Sequence, residues 1–150
     1  MDRDEADTEL TLSSGISAFE AKHFSRAYEL LKGLADDGHP EALYRIAVMS
    51  QNGLGMAANP ARALEAMERA AEQDHALAQH GLGFMYLEGE CVEKNGELAA
   101  HWFEKAAQQG LLGSLTTLAM MYNEGNGVPR DEARARAYFE KAGFDPSEFA

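Results

Sequence analysis

The chain has 150 residues and a mass of 16.4 kDa, enough for one domain or one short array of repeats. Its 45% hydrophobic and 25% charged residues match ordinary folded soluble proteins, and no apolar run nears the ~18 residues of a membrane span, which argues against global disorder and against a transmembrane helix. Thirteen basic against twenty-five acidic side chains give a formal charge of −12, which argues against a phosphate-backbone binder and suits a basic partner.

Residues 2–9 come first, with five acids and one base, and are expected to fray or to form a polar cap. A signal peptide would be basic and then apolar here. The sequence as it stands therefore predicts a cytoplasmic protein, or a periplasmic one if a leader has been removed. A helical pair follows. Its turn is placed around residues 21–24 and its second helix over about 24–37, with Ala27, Leu30, Leu31 and Leu34 on one face.

From residue 39 the chain repeats itself with a step of 36. Ala42, Ala78 and Ser114 keep this step, and so do Ile46, Leu82 and Leu118. Ala47, Gly83 and Ala119 do the same, as do Met49, Met85 and Met121, and Gly53, Gly89 and Gly125. Each repeat reads as two helices. Residues 40–51 carry Ala42, Leu43, Ile46, Ala47 and Met49 at helical spacing, and Pro40 suits a first turn, where its missing N–H costs nothing. Asn52-Gly53-Leu54-Gly55 breaks that helix. Asn59 as a cap and Pro60 at the first helical position start the next one, striped by Ala63, Ala66, Met67, Ala70 and Ala71. Asn95 and Asp131 are the caps of the later repeats.

The small residues at 47, 83 and 119, and the alanines at 63, 99 and 135, let paired helices approach closely. Aromatics at 86, 102, 103, 122, 138 and 139 fill the gaps between pairs, and the three in-register methionines read as core. A single pair cannot bury its own face, so neighbouring pairs must stack. In the loop Glu88-Gly89-Glu90-Cys91-Val92-Glu93, Cys91 replaces the glycine of positions 55 and 127. It reads as a tolerated loop variant, with an acidic knob or a redox-sensitive thiol as the functional alternative. At the end, Asp145-Pro146-Ser147-Glu148 has the form of a cap opening a further helix, and partly exposed Tyr138 and Phe144 would invite self-association through the ends of the array.

The stretch from Ala78 to Gly110, AQHGLGFMYLEGECVEKNGELAAHWFEKAAQQG, resembles the Sel-one-like repeat, a relative of the tetratricopeptide repeat. The resemblance is carried by Ala78, Leu82, Gly83, Tyr86, Gly89, Val92, Trp102, Ala106, Ala107 and Gly110, and then by Leu118, Tyr122, Gly125, Gly127, Val128 and Ala142. The repeat before departs from the pattern at Ser50 and Ala66, and the first pair looks like a plain tetratricopeptide repeat. The resemblance spans roughly residues 10–143. It implies an all-α fold: a right-handed α-solenoid of about four helix–turn–helix repeats at about 5–38, 39–74, 75–110 and 111–144, forming a single domain, with 145–150 as a C-terminal cap or the start of another helix.

Proteins that this chain resembles are interaction scaffolds, which line a concave groove with the first helix of each pair. The rows facing that groove are Tyr44, Val48 and Gln51, then Leu77, His80, Phe84 and Leu87, then Thr116, Met120 and Asn123. Val48, Phe84 and Met120 form an apolar ladder that either takes a partner segment or packs against the next repeat, and Tyr44 and Phe84 are the best anchors.

Signals of catalysis are missing. There is no H-E-x-x-H, G-x-S-x-G or Walker sequence, and Gly81-Leu82-Gly83 sits inside a predicted helix with Tyr86 where a third glycine would stand. One cysteine excludes an intrachain disulfide and a thiolate zinc site. The cysteine-rich Helicobacter branch of these repeats, linked to penicillin binding, depends on paired cysteines that this chain lacks. No catalytic residue, metal or cofactor is expected. The expected function is a non-enzymatic adaptor or scaffold of bacterial type that holds a protein segment in its groove, without nucleic acid and without membrane insertion. An immunity-type inhibitor of a basic toxin or effector is the alternative, and a cell-wall-related enzyme stands behind both.

Overall fold

The computed structural model describes residues 3–145 and Ser147. Among them are eight α-helices and no strand: α1 (Arg3–Glu20), α2 (Phe24–Asp36), α3 (Pro40–Asn52), α4 (Pro60–Glu72), α5 (Ala76–Glu88), α6 (Gly96–Gln108), α7 (Leu112–Glu124) and α8 (Glu132–Lys141). The chain falls into two compact units, residues 1–75 and 76–150, and each unit is built from two helical hairpins. Residues 3–9 of the acidic start, expected to fray or cap, form the first turns of α1.

The caps lie where the side-chain chemistry places them. Asn59, Asn95 and Asp131 each accept a hydrogen bond from the backbone N–H three residues on, at 3.0 to 3.1 Å, and satisfy a donor that the helix itself leaves open. Asp145 Oδ1 likewise accepts from Ser147 N and Oγ, both at 2.9 Å. Pro146 and Glu148, the other residues of that expected cap, lie outside the described residues.

Both units close their hairpins by one rule: a small residue on the first helix faces a large one on the second. A Cβ placed on Gly15 would lie 2.4 Å from Leu31 Cδ2, and one on Gly83 would lie 2.7 Å from the Phe103 ring. Ala119 clusters with Phe139 in the same way. Met49, Met85 and Met121 are buried to within 1% exposure and belong to the core. Around Phe103, unit two gathers Leu87, Ala99, Leu118, Met121 and Val128.

Hairpins within a unit are then tied by polar contacts between residues 34 apart. In unit one Arg62 donates to Tyr28 Oη at 3.1 Å, while His75, just after α4, closes its own hairpin by bonding Glu41. In unit two Tyr138 donates to Glu104 at 2.6 Å, and His80 bonds Ser114 Oγ at 2.7 Å. The loop joining α7 to α8 also presses on the start of α6, where a Cβ on Gly96 would lie 1.8 Å from the Gly127 carbonyl oxygen.

Cys91 holds a left-handed backbone, φ 67°, in the slot where Gly55 and Gly127 adopt 70° and 78°. That conformation costs a residue with a Cβ roughly 1–2 kcal/mol. Replacing Cys91 with glycine should therefore raise the thermal midpoint. Gly83→Ala should do the opposite. The helix interior favours alanine over glycine, but the added methyl must displace a fully buried ring, and such overpacking costs about 1–3 kcal/mol. Thermal melts followed by circular dichroism check both signs.

Candidate functional site

In unit one, Tyr44, Val48 and Gln51 share one face of α3, and all three are half-buried. The Tyr44 ring stacks on His75 with centroids 5.0 Å apart and planes 29° from parallel. His75 bonds one oxygen of Glu41, Arg45 Nε donates to the other at 2.9 Å, and the Arg45 guanidinium lies 4.9 Å from the Phe19 ring centroid. This end of the α3 row is thus a closed ionic and aromatic network. Burial pushes the Glu41 carboxyl up, but the hydrogen bonds from His75 and Arg45 outweigh it and hold the group below its ordinary value. Burial is the main effect pushing the Tyr44 phenol up, with Arg45 working against it and Glu41 adding to it.

In unit two, α5 and α7 enclose a cleft of about 270 Å³. Its walls are Phe84 and Leu87 from α5 and Thr117, Met120 and Met121 from α7, with Glu88, Glu124 and Asn126 at one end. Phe84 is seated edge-on against Phe103 at 5.0 Å, and against His80 at 4.9 Å. Met120 is 48% exposed, a large apolar side chain left in solvent at the cleft. Burial lowers the His80 pKa, so the ring is neutral when it bonds Ser114.

The structure brings Phe84, Leu87 and Met120 together and leaves Leu77, His80, Thr116 and Asn123 outside the cleft's lining. Leu87, expected on the groove wall, is 7% exposed and belongs to the core cluster, because the loop containing Gly127 covers it. It offers the cleft only an edge. Sequence reasoning missed Thr117, Glu88 and Glu124 as cleft residues. It also missed the buried Gln79, which accepts a hydrogen bond from Gln109 at 2.8 Å.

The two glutamates terminate their helices. Neither α5 nor α7 has a basic residue in its last turn, whereas α4, α6 and α8 carry Arg69, Lys105 and Lys141 there. A carboxylate at a helix C-terminus opposes the macrodipole, so Glu88 and Glu124 work against the stability of the helices they end. Neither has an ion-pair partner among the described residues. In the first full repeat the corresponding position is Asn52.

A second cleft, about 430 Å³, lies between α6 and the α7–α8 hairpin. Four of its polar groups are turned on one another. Tyr138 donates to Glu104, Arg134 donates to Tyr122 Oη at 3.1 Å, and the two tyrosine rings stack at 5.9 Å. Burial and the Glu104 carboxylate push the Tyr138 phenol far up, so it stays a donor. Burial first, and Glu90 second, raise the Cys91 thiol, which keeps it protonated and a poor nucleophile at neutral pH. Among the described residues no group of three or more His, Cys, Asp or Glu could hold a metal ion, and no helix is long and apolar enough to cross a membrane.

The Sel1 repeat model matches residues 40–75, 76–111 and 114–143. Among solved structures, the chain is similar to a protective antigen of uropathogenic Escherichia coli with an SLR fold, 28% identical over 93% of this chain and 31% of that one, with a TM-score of 0.85. It is also similar to a Sel1 repeat protein from Oxalobacter formigenes, 29% identical over 88% of this chain and 53% of that one, with a TM-score of 0.80. The chain therefore spans about a third of the first and about half of the second. Helicobacter pylori cysteine rich protein B, at 21% identity, a TM-score of 0.58, and coverage of 93% of this chain and 96% of that one, shares the fold. No curated protein matches the chain.

The network around Glu41 has a pH signature. A carboxyl held below its unfolded value adds stability above that value and loses it as pH falls through the folded one. Glu41→Gln should lower the thermal midpoint at neutral pH, and the gap from the parent should close below about pH 4, where the parent's carboxyl also protonates. Melts across that range check it.

Proposed function

Because this chain belongs to the Sel1 repeat family, whose members generally mediate protein–protein interaction, we propose that it acts as a non-enzymatic adaptor holding a segment of a partner protein in the cleft between α5 and α7. The observation that carries this reading is the cleft itself: apolar walls, an exposed Met120, and an aromatic floor residue, Phe84, fixed by Phe103 and His80. At about 270 Å³ it falls just below the range of small-molecule sites, about 300–1,000 Å³, and suits one or two anchoring side chains. An apolar anchor in such a cleft is the usual way a peptide docks on helices.

The net charge of −12 favours a second reading on the same surface, an inhibitor that blocks a basic toxin or effector. The two differ in consequence: the inhibitor abolishes its partner's activity, whereas the adaptor leaves it intact.

The test is a pull-down with the tagged chain from a lysate of its source cell, repeated with Phe84→Glu and, as a milder change at an exposed site, Met120→Gln. Both variants are first checked for helicity. The captured partner should lose at least about 2 kcal/mol of binding free energy with Phe84→Glu, the scale of an interface anchor. A partner retained equally by both folded variants overturns the cleft as the site.

A further inference from the structure

We infer that the cleft between α5 and α7 selects a segment in which an apolar anchor is followed closely by a lysine or arginine. This deepens the cleft reading above and rests on it. The anchor faces Phe84, Met120 and the edge of Leu87, while the cation meets Glu88 and Glu124 at the end of the same cleft.

Charge complementarity names this occupant. Two carboxylates line one cleft from the C-terminal ends of two helices, where they oppose the macrodipoles, and Arg130, which donates to the Asn123 carbonyl at the end of α7, pairs with Glu132 rather than with either of them. Neither carboxylate is neutralised by an ion pair among the described residues. The second helices of these hairpins follow the opposite pattern, with Lys105 and Lys141 in their last turns. Stability of the helices thus does not account for Glu88 and Glu124, and a cation delivered by a ligand does. The guanidinium or ammonium would lie on the two carboxylates, which accept charge-assisted hydrogen bonds. The apolar walls beside them exclude water and suit the aliphatic stem of such a side chain.

The experiment is selection of a random peptide library displayed on phage against the immobilised 150-residue chain, followed by fluorescence anisotropy with the enriched peptides. Three variants are run beside it: Glu88→Gln with Glu124→Gln, the charge-matched Glu72→Gln with Glu140→Gln away from the cleft, and Met120→Gln. The expected result is peptides with an apolar residue and a nearby Lys or Arg. Their affinity should fall roughly tenfold with the cleft-end pair, the scale of one lost charge-assisted contact, and stay near the parent value with the control pair. The cleft-end pair should also melt at a higher temperature than the parent, since it removes the conflict with the two dipoles.

Enriched peptides without a cation, weakened by Met120→Gln, would overturn this inference and leave the cleft reading standing. Basic peptides weakened equally by both glutamate pairs would overturn it as well, by assigning the attraction to overall charge. Enriched peptides indifferent to all three variants, or no enrichment at all, would overturn the cleft reading itself.

Discussion

Everything in unit two depends on how closely α5 can approach α6, and that distance is set by the missing side chain of Gly83. The Phe103 ring occupies the space where a Cβ would be. Once seated there, it is fully buried and becomes the surface against which Phe84 and His80 pack edge-on. Phe84 in turn forms one wall of the cleft. A packing constraint between two helices thus fixes the angle of an aromatic side chain that faces solvent on its other side. Gly15 and Leu31 show the same solution with a smaller partner, so the size of the pair varies while the complementarity is kept.

Charge is distributed unevenly among the helix ends. The last turns of α4, α6 and α8 carry a cation, which suits their dipoles, whereas α5 and α7 end in glutamates, which do not. Within unit one, the acid at the start of α3 is treated differently. Glu41 is consumed by His75 and Arg45, and its network closes one end of the α3 row. The chain's acidity is therefore not a uniform coat. Some carboxylates are spent on internal bonds, and others are left unpaired beside an apolar surface.

Much of the fold was legible in the residues. The caps at Asn59, Asn95 and Asp131, the break at Gly53 and the burial of the methionine row all follow from local chemistry and a 36-residue register. The site was legible only in part. Phe84 and Met120 came from helical spacing, but Thr117 took the place expected for Thr116 because one residue is about 100° of rotation, and the cleft selects a slightly different strip of α7. Leu87 was lost to the core because a loop from the next hairpin covers it, which no pattern within α5 reveals. The pairs His75–Glu41, Tyr138–Glu104 and His80–Ser114 had a signal that could have been read: complementary side chains two residues short of one repeat. Glu88 and Glu124 also stood in register, as acids where helix ends prefer bases.

The contact between Gly96 and Gly127 bears on how such an array can change over generations. The hairpin of α5 and α6 looks like an exchangeable cassette, yet its residue 96 is dictated by the loop of the following hairpin, whose carbonyl occupies the place of a side chain. In unit one, Gly55 lies against the backbone of Phe24 and Ser25 with the same intimacy. A duplication or recombination that cuts between hairpins separates these partners and sets a new residue against an old loop. Cuts in the loop just before a second helix keep them together, so the heritable module of this architecture is offset from the hairpin that the eye picks out.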